Sequence, residues 1–272
     1  MRSGPKILVP PPVCYAAQTE HSSPKFARAF ALGSHGRAVP QTTTLEPGPF
    51  AAFCSPSVWV ILEQAKREGR TWYYGDHSYF APRKGRYFRV TKNAMQHDGS
   101  GAYPPDRFRE LRLDLAPEWQ TQDRSSIVIC PNSPAYMAQF GIDAKQWTLD
   151  IVQQLAQYSD RPIVIRWKSQ QKTRPMYVDL HTARLVIVYS SAAAVEALVA
   201  GVPVVTLAPF ASTYRMGLTD LSQVETPFYP PDREQFLYNL AFQQWSLPEI
   251  ESGMAWRYLN DLDPTVAHFR RG

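Results

Sequence analysis

The chain has 272 residues, of which 44% are apolar and only 19% charged; it can bury one large core or two small ones, and disorder is excluded. Its three cysteines, Cys14, Cys54 and Cys130, are too few and too scattered for a disulfide framework or a cysteine metal site, so reduced thiols and a cytoplasmic location are expected. A formal charge of +5 permits an anionic partner without requiring one.

Residues 6–9 (KILV) read as a first buried strand, stopped by Pro10, Pro11 and Pro12, and the run is too short for a signal peptide. Residues 24–32 have helical spacing with Gly33 as a stop, and residues 51–54 form a short strand. A helix over 57–68 follows, with Ser55 as N-cap, Pro56 at its first position and Gly69 beyond its end. Residues 71–74 (TWYY) are a strand leading into Gly75, Asp76 and His77. Strand, helix, strand, helix, strand argues for a parallel sheet. Residues 86–91 (RYFRVT) are a further strand, and the polar, aperiodic run 114–125 is the expected linker, dividing the chain into domains 1–120 and 121–272.

The second half alternates more cleanly. Strands are expected at 126–130, 162–166, 185–189 and 202–207. Helices are expected at 143–158 (with Trp147, Ile151, Leu155 and Tyr158 on one face), 175–182 and 192–200, then 232–244 and 248–259. Residues 185–211 carry one charge, Glu196, yet Ser190, Ser191, Gly201, Pro203 and Pro209 interrupt them, so no membrane insertion is expected.

The segment around Ser190 carries the chemistry. A buried strand ends in small polar residues and a helix of small residues starts at once, a pattern that suits a phosphate at the carboxyl edge of a sheet. Glu196 lies a turn and a half further, where a carboxylate can accept from ribose hydroxyls. An ordinary crossover, with Ser191 as N-cap and Glu196 solvated, would show the same spacing.

Residues 183–205 (ARLVIVYSSAAAVEALVAGVPVV) resemble the donor-domain signature of the capsular-polysaccharide and Kdo-type glycosyltransferases, a GT-B group. Residues 217–220 (GLTD), 232–235 (DREQ) and 252–257 (SGMAWR) are similar to the tail of short, phage-type members. The resemblance implies two Rossmann-like α/β domains facing across a cleft. The N-terminal domain would serve the acceptor, the C-terminal domain a nucleotide-sugar, and the last helices would pack back. It implies Ser190, Ser191 and Glu196 as donor contacts, a UDP-sugar as first choice of donor, and transfer without a bound metal or other cofactor. The family's His-Pro pair is absent from residues 162–168 (PIVIRWK), which passes its role to Arg166 and Lys168.

Residues 72–80 (WYYGDHSYF) resemble the acidic Gly-Tyr motif of the same enzymes, with Asp76 ahead of His77 as the base for an acceptor hydroxyl. Arg83, Lys84, Arg86, Arg89 and Lys92, interleaved with Tyr79, Phe80, Tyr87 and Phe88, suit phosphate contacts and base stacking. A solvated edge strand with its aromatics in the core fits the same pattern. Three functions follow: transfer to hydroxymethylated pyrimidines in double-stranded DNA, transfer to a cell-surface polysaccharide, or nucleotide binding without catalysis. The basic segment favours the first.

Overall fold

The computed structural model describes residues 9–17, 21–80, 87–168 and 174–262. They fall in two compact units: the described parts of residues 1–78, 84–94 and 244–271 form the first, and those of 79–83 and 95–243 the second. The expected boundary at residues 120 and 121 therefore lies inside the second unit.

The first unit is built on six strands. They are β1 (Val13–Ala16), β2 (Arg37–Pro40), β3 (Phe50–Phe53), β4 (Trp72–His77), β5 (Tyr87–Lys92) and a late arrival, β10 (Gln244–Ser246). The order is β10-β5-β4-β3-β1-β2, parallel from β2 to β4, with β5 and β10 antiparallel. Helices α1 (Ser22–Ser34) and α2 (Val58–Arg67) supply the crossovers of the parallel part. The expected strand at 6–9 lies outside the described residues except for Val9, and the first strand described follows the prolines instead.

Aromatic rings fill this core. Phe26 of α1 meets Phe53 at 5.7 Å, Phe30 meets Tyr73 at 5.3 Å, and Tyr73 meets Trp256 at 5.0 Å. Trp256 belongs to α10 (Met254–Leu259), preceded by α9 (Leu247–Glu251). The sequence reads these as one helix over 248–259. They are two, because Gly253 adopts φ +78° between them.

The second unit holds a four-stranded parallel sheet, order β7-β6-β8-β9: β6 (Ser126–Cys130), β7 (Ile163–Ile165), β8 (Ala183–Val188) and β9 (Val204–Thr206). Its helices are α3 (Asp106–Glu110), α4 (Pro134–Ala138), α5 (Ala144–Leu155), α6 (Met176–Leu180), α7 (Ala193–Val199) and α8 (Arg233–Ala241). Ile127, Ile129, Leu185, Ile187 and Val205 pack with Ile151 and Leu155 of α5. Near-continuous apolar strands are what a sheet covered on both faces requires. Tyr158, expected on the buried face of α5, lies beyond its end and is 43% exposed.

The expected linker is fastened into this unit. Ala116 N–H donates to Val199 O, Gln120 N–H to Gly201 O, and the buried Arg233 guanidinium to Ala116 O and Glu118 O. Hydrogen bonds and the single ring of Trp119, packed against Tyr229 and Arg233, hold the segment, which is why it shows no hydrophobic period.

Candidate functional site

In the second unit the chain leaves β6 toward β7 on one side and returns to β8 on the other, so strand order reverses between β6 and β8. Open α/β sheets bind ligands outside the carboxyl ends of the strands at such a point. Cys130 ends β6 here, and Ser190 stands two residues past β8. Asn132 Oδ1 accepts from Ser190 N–H at 3.1 Å, and Ser190 Oγ donates to the Tyr136 hydroxyl at 3.3 Å. Gln96 Nε2 donates to Ser190 O, while Gln96 Oε1 accepts from Ser212 N–H, both at 3.0 Å. Ser190 is buried and its polar atoms are engaged, so it acts as the node that fixes the turn. Ser191 is half-buried, and its Oγ accepts from Ala193 N–H at 3.3 Å.

Glu196 is half-buried in the first turn of α7. It lines a cavity of about 300 Å3 together with Asp114, Pro175, Met176, Tyr177 and Val199. Two carboxylates, Glu196 and Asp114, beside mostly apolar walls suit a ligand that has both a flat apolar part and hydroxyls.

Arg166 follows β7 directly and is buried, not presented to solvent. Its guanidinium donates to Asp179 Oδ2 at 2.7 Å and to Arg174 O. Asp179, in α6, also carries Arg174 on its other oxygen at 2.5 Å. Lys168 is exposed on the same connection. The Cys130 thiol lies among these groups. Burial pushes it up to about 12; Arg166 opposes that rise, while Glu196 and Asp179 add to it. Arg166, Asp179 and Glu196 therefore share one neighbourhood at the end of β6.

In the first unit Asp76 and His77 are the last residues of β4. Asp76 faces Arg89 across the β4–β5 ladder, and the two form a buried ion pair. The second oxygen of Asp76 accepts from His77 N–H at 2.7 Å. His77 is half-buried, edge-on to Phe53 at 5.3 Å. Arg89 is thus an internal cation and not a surface phosphate contact. Lys92 donates to Asn260 Oδ1 at 2.8 Å. Tyr79, Phe80 and Phe88 are core residues, which removes them as stacking surfaces for bases; the alternation of basic and apolar residues is that of a strand with a buried face. Arg83, Lys84 and Arg86 lie outside the described residues.

Sequence reasoning missed Asn132, Gln96, Asp179 and Arg174. Asn132 had a usable signal, a polar residue two positions past a buried strand. Gln96 and Asp179 had none, because each finds its partners only through the fold.

No group of three or more His, Cys, Asp and Glu placed to hold a metal occurs among the described residues, and none of their helices is long and apolar enough to cross a membrane. No protein-family model and no curated protein matches this sequence. Among solved structures, the Thermosulfurimonas dismutans protein described as "KpsC, beta Kdo 2,7 transferase" is similar, with a TM-score of 0.52 at 13% identity, over 92% of this chain and 99% of that one. The likeness establishes the fold, the α/β arrangement of a GT-B protein.

Proposed function

We propose that this chain is a glycosyltransferase that binds a nucleotide-sugar in its second unit. The observation that carries the reading is Glu196: it lines a cavity of about 300 Å3 and lies six residues past a fixed Ser190 turn at the switch point of a parallel sheet. The fold shared with a Kdo transferase supports the same class. In the proposed reaction an acceptor hydroxyl loses its proton to a base and its oxygen bonds the anomeric carbon. The bond from that carbon to phosphate breaks, and the nucleotide leaves with the electron pair. Cations near the phosphate stabilise the charge that develops.

On the acceptor side the base is assigned to the end of β4. His77, half-buried, is better placed for it than Asp76, whose two oxygens are engaged. A glycan acceptor is preferred to DNA, since the basic segment offers fewer free cations and stacking rings than its sequence suggested. A UDP-sugar remains the first donor to try.

Thermal-shift titration against UDP-, GDP-, CMP- and ADP-sugars tests the proposal, because a ligand at a hundred times its Kd adds about 2.7 kcal/mol to stability. Glu196→Ala should weaken the binding of the responding donor tenfold to a hundredfold, roughly the 1.5–3 kcal/mol of a charged hydrogen bond, with the ligand-free Tm unchanged. A lower Tm with unchanged affinity would make Glu196 structural and the donor site misplaced.

A further inference from the structure

We infer that Arg174, held in place by Asp179, is the residue that grips the phosphate of the bound nucleotide. The inference rests on the donor reading above and deepens it. Asp179 has a side chain only 1% exposed, yet two guanidiniums share it. Arg166, at 5% exposure, takes one oxygen at 2.7 Å and can meet no ligand. Arg174 takes the other at 2.5 Å and is 54% exposed. Within this triad one carboxylate stands between two cations, and the cation that reaches solvent is Arg174.

The arrangement is more than an acid made neutral. Arg166 by itself matches the charge of Asp179, and it also donates to Arg174 O, fixing the backbone from which the second guanidinium projects. The anchored backbone and the ion pair with Asp179 restrict where the side chain reaches before any ligand arrives, which lowers the cost of binding. A guanidinium so held offers its remaining N–H groups in a fork that fits phosphate oxygens. Position supports the same occupant. Arg174 immediately precedes Pro175, the first of the α6-side residues that line the Glu196 cavity. A nucleoside whose hydroxyls meet Glu196 would leave its phosphate near Arg174. The ligand class is a nucleoside mono- or diphosphate, and Asp179 is a positioning residue.

Calorimetry on the full chain decides it, with inorganic pyrophosphate, UDP, GDP, CMP and ADP as probes and the matching nucleosides as controls. Arg174→Ala should weaken pyrophosphate and the nucleotide that binds wild type at least tenfold, and leave the matching nucleoside within twofold. Arg174→Lys should recover only part, since an ammonium restores the charge without the fork. Asp179→Asn should bring the same phosphate-specific loss together with a lower Tm, because it strands Arg166. Should Arg174→Ala bind nucleotide and pyrophosphate as wild type does, the inference is overturned while the donor reading stands. Should wild type bind pyrophosphate through Arg174 but none of the nucleotides, the anion site stands and the donor reading fails. If wild type binds neither, both fall.

Discussion

At the scale of single residues, the sharpest difference between sequence and structure concerns Asp76. A carboxylate at the end of a strand reads as a base, but cross-strand register sets it opposite Arg89, and both are buried. No linear pattern reveals that, because the partner lies on a strand 13 residues away whose register depends on the whole sheet. Removing one member of a buried pair leaves the other charge uncompensated, at about 3–5 kcal/mol. Asp76→Asn is therefore expected to unfold at markedly lower denaturant, and Asp76→Asn with Arg89→Met should regain most of the loss. Equilibrium denaturation of the two variants checks this. An Asp76→Asn protein of native stability that binds donor but transfers no sugar would restore Asp76 as the base.

At the scale of elements, the long and buried ones were legible, while short ones and ends were not. Buried strands such as residues 126–130 announce themselves by continuous apolar runs, and Gly201 stops α7 where expected. What escaped was short or exposed: β1 after the prolines; the edge strand β2, whose burial pattern is mostly exposed; β10, which pairs antiparallel with β5; the five-residue helices α3 and α4; and the break between α9 and α10. That break has a physical origin in glycine. A Cβ on Gly33 of α1 would lie 2.0 Å from Ile250 O and 2.8 Å from Gly253 N, both backbone atoms that cannot swing aside. The two glycines let α1 and the α9–α10 corner approach to backbone contact. Gly33→Ala should cost about 1–3 kcal/mol or more through overpacking, although alanine is the better helix former. Gly69→Ala is the comparison: its Cβ would meet nothing, and only a left-handed φ of +63° opposes it, at about 1–2 kcal/mol. Differential scanning calorimetry on both variants distinguishes steric contact from backbone strain; an unchanged Tm for Gly33→Ala would mean that the helices separate at little cost.

At the scale of the whole molecule, the alternation of strands and helices was enough to reach an α/β fold of GT-B type, because patterning reports burial and burial reports layers. The division into units was not so legible. Residues 95–120 and the polar run after them join the second unit through backbone and side-chain hydrogen bonds, and residues 244–262 return to the first. The candidate site was legible only where local sequence builds it, at Ser190, Ser191 and Glu196. The partners that fix it come from residues far apart in the chain, Gln96 being 94 positions from Ser190.

The acceptor is a property of the same scale, since it depends on how much free positive charge the molecule offers. The net charge is only +5, and within the basic segment Arg89 is neutralised by Asp76, while Lys92, exposed and bonded to the neutral amide of Asn260, keeps its charge. A DNA acceptor needs several phosphate contacts, each contributing about 0.9 to the slope of log affinity against log salt. With Arg89 buried against Asp76, one of the five cations is withdrawn, and a slope shallower by about 0.9 than five contacts would give is expected. The decisive assay offers the responding nucleotide-sugar with duplex DNA containing 5-hydroxymethylcytosine or 5-hydroxymethyluracil, and separately with oligosaccharide acceptors, followed by mass spectrometry. A hexose or pentose mass gain on the oligosaccharide alone is the expected outcome. A gain on the nucleoside, together with a salt slope that Arg86→Ala flattens by about 0.9, would reverse the preference and make the basic segment the acceptor surface.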